Sequence, residues 1–347
     1  MQIICRIYTG NLIVQTSLYN KLIMIKSLIF VLVAASFVKA VTVDIRAAWL
    51  DASQCPDEET TKQVISTMAK NGINRIYVGT WKNGKTFFNS STLFNAISDA
   101  GIGRFIVPWA IEHGHAQNME VYAWFEYGYI AAYMNLSTPF GQYANNNKWI
   151  MGEVNNMFYM NPLSDATEFL ARMMIDAISL GIDGLQLDDH FSCRKKFLIC
   201  SKAVIDNAAK RIYELIRKSN STISISLAPA PLPLALSDYN VDWPELFKAG
   251  YFQEIVPLLY TSSYTHFEYM LSQNEVFIRK PLREKTLIGI MVNKDSENVI
   301  DWKEVKQMIN LANRHKYGVT IWYGKSIVKD YSREFYELWG NKLTNMC

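Results

Sequence analysis

Eight short apolar, β-rich runs separated by eight helical patterns predict an α/β fold, a single (β/α)8 TIM barrel. Three observations carry that expectation. Strands and helices alternate from end to end, which calls for right-handed crossovers between parallel strands. About 300 residues is the length that eight such units occupy. No Gly-, Ser- or Pro-rich linker and no charge block divides the chain in two. Half of the 347 residues are hydrophobic, 19% are charged and 13% aromatic, which excludes disorder and allows one large core. An open doubly wound sheet would need a glycine-rich phosphate turn after an early strand, and Gly101 to Phe105 offers only a Gly-x-Gly that follows a loop.

Residues 1–40 read as a targeting segment with Met24 as the start, and 41–347 as the barrel domain. Lys26 precedes the apolar run Leu28 to Val38, and Val38-Lys39-Ala40 is compatible with signal-peptidase cleavage after Ala40. The run is shorter than a comfortable bilayer span, and no later stretch approaches about 18 to 20 apolar residues, so the mature chain is expected to have no integral membrane span. The alternative for the leader is an uncleaved anchor. The first 40 residues hold Arg6, Lys21, Lys26 and Lys39 and no acid; without them the formal charge moves from +3 to −1. A nucleic-acid or other polyanion surface therefore has no compositional support.

The units follow in order, each an apolar run and then a helical pattern. Ile45 to Leu50 leads to Glu58 to Asn71, Arg75 to Thr80 to Trp109 to Asn118, and Glu120 to Tyr127 to Asp165 to Leu180. Ile182 to Asp189 leads to Cys200 to Ser219, and Thr222 to Ala228 to Trp243 to Gly250. Glu254 to Tyr260 leads to Phe267 to Arg279, Thr286 to Val292 to Trp302 to His315, and Gly318 to Gly324 to Asp330 to Gly340.

Barrel enzymes carry their chemistry at the carboxyl ends of the strands, and two strands here end in acids. In the fourth run Leu185 and Leu187 share the outward face, which leaves Gln186 and Asp188 facing the axis, with Asp189 and His190 at the rim. In the third run Val121, Ala123 and Phe125 face outward, so Tyr122, Trp124 and Glu126 face inward. Third and fourth strands are neighbours about 4.8 Å apart, so the two terminal carboxylates meet at the mouth. A close pair cannot ionise freely; one becomes a proton donor while the other stays charged, which is the requirement of glycoside hydrolysis. The aromatics flanking Glu126 favour it as the acid/base, with Asp188 charged beside Asp189, Gln186 and Arg46 as nucleophile or stabiliser; the reverse assignment stays open. Trp49, Trp81, Trp124, Trp149, Tyr260 and Trp322 fall near strand ends, where flat rings can cover sugar faces. A strand-end Trp more often packs in the core than serves as such a platform.

Six motifs carry a resemblance: "RAAWL" from Arg46, "YVGTWKNG" from Tyr77, "MEVYAWFEYG" from Met119, "MNP" from Met160, "GIDGLQLDDHF" from Gly181 and "EIVPLLY" from Glu254. In that order they resemble the glycosyl-hydrolase-like 10 family of (β/α)8 proteins over about Val43 to Trp322, the first, third and fifth being the specific ones. The resemblance implies a carbohydrate-active barrel in a family with members linked to bacterial wall glycans. Residue by residue it implies Glu126, Asp188 and Asp189 as catalytic positions and Arg46 as the strand-one arginine, oriented to a carboxylate or a sugar oxygen. The loop "WKNGKTFFNSS" and the segment "AIEHGHAQNM" depart from the family's usual spacing.

The expected function is a secreted glycoside hydrolase acting on O-glycosidic bonds of a polysaccharide, with a bacterial cell-wall glycan among the candidates. Catalysis falls to Glu126, Asp188 and Asp189, and substrate binding to Arg46, Trp49, Trp81, Trp124, Gln186, His190, Tyr260 and Trp322. The alternative is a sugar-binding barrel without turnover. No cofactor and no metal are expected: the five histidines give no His-x-His on a strand, the fifth run ends "SLAPAP" without an acid, and no nucleophile elbow is present. The partner is a carbohydrate substrate, with no nucleic acid; the oligomeric state is left open. An oxidising compartment is consistent with Asn89-Ser-Ser, Asn135-Leu-Ser and Asn220-Ser-Thr as glycan acceptors. Among Cys55, Cys193, Cys200 and Cys347, the pair Cys193–Cys200 is expected, its seven-residue separation permitting closure after the catalytic strand.

Overall fold

The computed structural model describes residues 44–98, 105–219, 222–278, 282–294 and 298–340. The chain divides into a unit of residues 1–44 and a unit Ile45–Cys347. The expected targeting segment, Asn220 and Cys347 lie outside the described residues.

Eight parallel strands make the main sheet: β1 Arg46–Leu50, β2 Arg75–Gly79, β3 Glu120–Phe125, β4 Gly184–Asp188, β5 Ser224–Ala228, β6 Glu254–Ile255, β7 Leu287–Met291 and β8 Gly318–Trp322. Their order is β6-β5-β4-β3-β2-β1-β8-β7. Parallel bridges from Ile255 to Thr286 and from Leu258 to Gly289 bring the two ends of this sheet together. The barrel and all eight runs expected from the sequence are present.

The helices pack their apolar faces onto the strands. Lys202–Lys218 buries Val204, Ile205, Ala208, Ala209, Ile212 and Ile216, the spacing of one helical stripe. Glu58–Lys70 starts where Asp57 accepts the Thr60 amide at 2.7 Å. Two insertions interrupt the regular alternation. After β2 comes a hairpin of Trp81–Lys82 and Lys85–Thr86, then a helix at Ser91–Ile97. After β3 a three-stranded antiparallel sheet forms from Ile130–Tyr133, Met157–Met160 and Ile150–Val154, with a helix at Pro139–Asn146. The last helical pattern resolves into π-helical Ser326–Asp330, α-helical Ser332–Phe335 and π-helical Tyr336–Gly340.

The core has two layers. One lies between strands and helices; the other fills the barrel with Ala47, Trp49, Tyr77, Tyr122, Trp124, Ala228, Val256 and Leu287. Gly184 is required by that filling, because a side chain there would run into the Tyr122 ring. At the amino-terminal end of the barrel the buried Arg75 pairs with both Glu254 and Glu120, and Tyr77 Oη donates to Glu254 at 2.6 Å. Three strands are thereby tied together across the barrel axis.

Cys193 and Cys200 form the expected disulfide, with Cα atoms 5.2 Å apart, in the loop after β4. That loop is docked on the one after β5: the Cys193 amide donates to the Tyr239 carbonyl at 3.1 Å, and the Arg194 guanidinium lies 4.1 Å from the Tyr239 ring centre. Asn89 and Asn135 are exposed. Among the described residues no helix is long and apolar enough to cross a membrane.

Candidate active site

The carboxyl ends of β3, β4, β6 and β8 surround a cavity of about 420 Å³ lined by Trp124, Glu126, Asp188, Asp189, His190 and Tyr260, with Trp322 and an apolar wall that includes Leu258 and Met270. Strand pleating places these groups together. Asp188 ends β4 on the inward face, and Glu126 follows the last residue of β3 on the inward face. Gly128, at φ +44°, lets the chain after Glu126 approach the backbone of His190 and Phe191 too closely for a side chain. The Tyr129 amide donates to the His190 carbonyl at 3.2 Å, so the two acid-bearing loops are held as one unit.

Each carboxylate has a distinct setting. Asp188 Oδ2 accepts from Trp124 Nε1 at 2.9 Å, and Oδ1 accepts from the Asp189 amide at 2.8 Å. Enclosure by the barrel rim, followed by repulsion from Asp189, pushes Asp188 well above the usual carboxylate range. Asp189 pairs with His190 Nδ1 at 2.8 Å. Burial would lower His190, but Asp189, Asp188 and Glu126 together raise it above its ordinary 6.5. Glu126 is raised by burial while Lys82, 2.9 Å from Oε2, opposes that rise. Burial raises Tyr260 strongly, and the negative charge of Asp188, Asp189 and Glu126 adds to it.

Burial raises both acids, and the setting of Glu126 differs from the aromatic one that its sequence neighbours suggest. Phe125 and Tyr127 are next to Glu126 in sequence, but alternate residues of an extended chain point to opposite sides. Glu126 instead meets a lysine ammonium from another loop. Of the groups expected beside Asp188, Asp189 donates its amide to Oδ1 at 2.8 Å, whereas Gln186 is engaged elsewhere, accepting from Trp49 Nε1 at 2.7 Å and donating to Ser226 at 3.1 Å.

The remaining site expectations separate into three places. Trp124, His190, Tyr260 and Trp322 line the cavity with the three acids. Trp49 and Gln186 are buried beneath it, Trp49 touching Trp322 with ring centres 6.1 Å apart, so they support the floor. Arg46 and Trp81 are not brought to the cavity. Arg46 opens β1 at the opposite, amino-terminal end, with the outward parity of Ala48 and Leu50. Trp81 is buried in the outer core against Phe140, ring centres 4.9 Å apart, and Trp149 packs near the same ring. Lys82 and Asp51 were not anticipated as site residues. Their one signal was that Lys82 sits in the loop whose spacing departs from the family pattern. Among the described residues no group of three or more His, Cys, Asp and Glu side chains is arranged to hold a metal ion.

The comparisons bear on the same segment. Residues 44–208 match the glycosyl hydrolase-like 10 family. The glycosyl hydrolase-like 10 match begins just ahead of β1 and ends inside Lys202–Lys218, so it contains Glu126, Asp188, Asp189 and His190 and stops before Tyr260 and Trp322. Among solved structures, the glycoside hydrolase domain of PgaB (BpsB) from Bordetella bronchiseptica is similar with a TM-score of 0.66 at 10% identity, over 85% of this chain and 98% of that one. The hyperthermostable endo-1,4-beta-D-mannanase of Thermotoga petrophila RKU-1 gives 0.57 at 10% identity over 81% and 88%. The spore cortex-lytic enzyme SleL of Bacillus megaterium QM B1551 gives 0.52 at 11% over 86% and 74%. At such identities the likeness is one of fold. No curated protein sequence matches the chain.

Proposed function

We propose that this chain is a glycosidase that hydrolyses O-glycosidic bonds of a polysaccharide, with Asp188 as the proton donor and Glu126 as its charged partner. The observation that carries the reading is the pairing of two inward carboxyl groups of unequal electrostatic setting in one cavity at the carboxyl ends of adjacent strands. A proton held on Asp188 is available to the leaving oxygen, and a charged Glu126 can attack or stabilise the anomeric carbon or activate a water. Asp189 and His190 hold Asp188 in a polarised setting. Trp322 and Tyr260 supply aromatic surfaces for sugar rings, while Trp124 is buried beside them and holds Asp188 through Nε1.

A bacterial wall glycan is the substrate class we propose, and the fold likeness to polysaccharide-acting domains supports that reading. The similar folds include an endo-1,4-beta-D-mannanase and a spore cortex-lytic enzyme, and a bacterial wall glycan is the favoured substrate among polysaccharides. Secretion is part of this reading: the Cys193–Cys200 disulfide suits an oxidising compartment, and the basic and apolar leader supplies the route. The test is release of reducing ends from a panel of bacterial wall glycans and β-linked polysaccharides. Glu126→Gln and Asp188→Asn should each lower turnover by about 10²- to 10⁴-fold. Binding of a glycan with no turnover, unchanged in both variants, would overturn the reading in favour of a sugar-binding barrel.

A further inference from the structure

Lys82 lies outside the cavity lining, yet its ammonium bridges two carboxylates. Nζ donates to Asp51 Oδ2 at 2.9 Å and lies 2.9 Å from Glu126 Oε2. The three side chains come from three different elements: Asp51 follows β1, Lys82 belongs to the hairpin after β2, and Glu126 follows β3. Both anchors are themselves fixed. Asp51 also accepts the Ser53 amide at 2.8 Å, and its own amide donates to Gln54 Oε1 at 3.0 Å, so it caps the turn Ala52–Gln54. The hairpin is pinned by Trp81 against Phe140 and by the Tyr127 amide donating to the Trp81 carbonyl at 3.3 Å. Asn83 and Gly84, at φ +50° and +72°, make its tight turn, and a side chain at Gly84 would collide with Phe140. Trp81 therefore presents Lys82 to Glu126 and does not meet sugar.

We propose that Lys82 is a positioning residue that clamps Glu126 between the strand-one and strand-two loops and holds it as a carboxylate, so that Asp51 and Lys82 decide which acid of the pair carries the charge. This rests on the assignment of Glu126 and Asp188 as the working pair. The groups facing Glu126 are Lys82, Asp51, His190, Asp188, Tyr260 and the adjacent Tyr127. Lys82 is the nearest cation, and next to it Asp51 adds a negative charge that works against it. The ammonium is secured in turn: burial alone would lower Lys82, but Glu126 and Asp51 raise it, so it stays charged across the working pH range. An ion pair at this distance, half shielded from solvent, depresses a carboxyl by about one to three units relative to the same site without its partner.

The experiment is a ¹³C carboxyl NMR titration of the full chain with labelled glutamate, the Glu126 signal assigned by Glu126→Gln. Lys82→Met should move the Glu126 midpoint up by about one unit or more, and Lys82→Arg should return most of the shift. Asp51→Asn should move it down, because a carboxylate that competes for Lys82 is removed. On a hydrolysed glycan, the acid limb of kcat/KM should follow each midpoint. An unmoved Glu126 midpoint in folded Lys82→Met overturns the proposal, as does an upward or absent shift in Asp51→Asn if Lys82→Met fails to fold. Because the NMR titration needs no substrate, absence of turnover would count against the glycosidase reading and leave the clamp to be judged by the midpoints.

Discussion

Replacing Arg75 with Met should destabilise the fold by about 3 to 5 kcal/mol, the cost of leaving a buried charge without its partner. The figure follows from the setting. The Arg75 and Glu254 side chains are only 6% and 7% exposed, whereas the second partner, Glu120, is 52% exposed and can turn to water. The penalty therefore falls on Glu254, which keeps one hydrogen bond from Tyr77 at 2.6 Å and loses its counter-charge. The guanidinium also lies 4.3 Å from the Tyr122 ring centre, a contact that Met retains only in its apolar part. At roughly 2 °C per kcal/mol for a domain of this size, Tm should fall by about 6 to 10 °C. Urea unfolding at neutral pH, followed by tryptophan fluorescence, reads the difference. Adding Glu254→Gln should recover about 2 kcal/mol, since it removes the stranded charge and keeps an acceptor for Tyr77. A loss under about 1 kcal/mol in Arg75→Met, or strict additivity in the double variant, would refute the view that this cluster is a charge-balanced staple across the barrel.

Trp124→Phe removes the Nε1 bond to Asp188 and leaves a void in the barrel filling, so kcat should fall about ten- to a hundredfold and Tm should drop by about 2 to 6 °C, measured by reducing-end release and calorimetry. Gln186→Leu strands the buried Trp49 indole donor and should cost about 1 to 3 kcal/mol in urea unfolding. Cys193→Ser with Cys200→Ser should lower stability by about 2 kcal/mol, as expected for opening a short loop, when compared with the oxidised chain in the same assay. His190 is raised above 6.5 in the fold, so its contribution to stability is fully present below that value and is lost as pH rises through the folded value. His190→Asn should flatten that part of the stability–pH curve; a curve identical to that of the parent would show that the Asp189–His190 pair is not charged.

Most of the barrel was legible because its signals are local. Seven of the eight strands span five or six residues within an apolar run, β6 only two, and crossover helices carry a 3.6-residue stripe, as in Lys202–Lys218. The antiparallel sheet of Ile130–Tyr133, Ile150–Val154 and Met157–Met160 was not, since runs of four or five residues carry too little periodicity to stand out and two of them pair across about 25 residues that include a helix. The final helix was placed but not its π-helical form, because one periodic apolar pattern fits both windings. Arg46 was misplaced for a different reason: its position follows from the direction of β1, which starts at the barrel's amino end and puts the first residue farthest from the mouth.

Strand parity put Glu126, Asp188 and Trp124 on the inward side because a period of two fixes which residues look inward, and Tyr260 and Trp322 were named from their places near strand ends. It could not tell a floor from a wall. Trp49 and Gln186 face inward as Trp124 and Asp188 do, but Gln186 lies two residues before Asp188, a step of about 6.6 Å down the strand, and Trp49 bonds to it and packs against Trp322. Nor could parity decide which acid is charged, because that depends on what a loop brings across. The sequence neighbours of Glu126 are aromatic, while its spatial neighbour is a lysine 44 positions upstream on a hairpin. The length and turn chemistry of that hairpin are therefore part of the site's electrostatics. Deleting Asn83 and Gly84 removes the whole two-residue turn between Lys82 and Lys85, so the hairpin that presents Lys82 is lost, and the Glu126 midpoint should rise as it does in Lys82→Met.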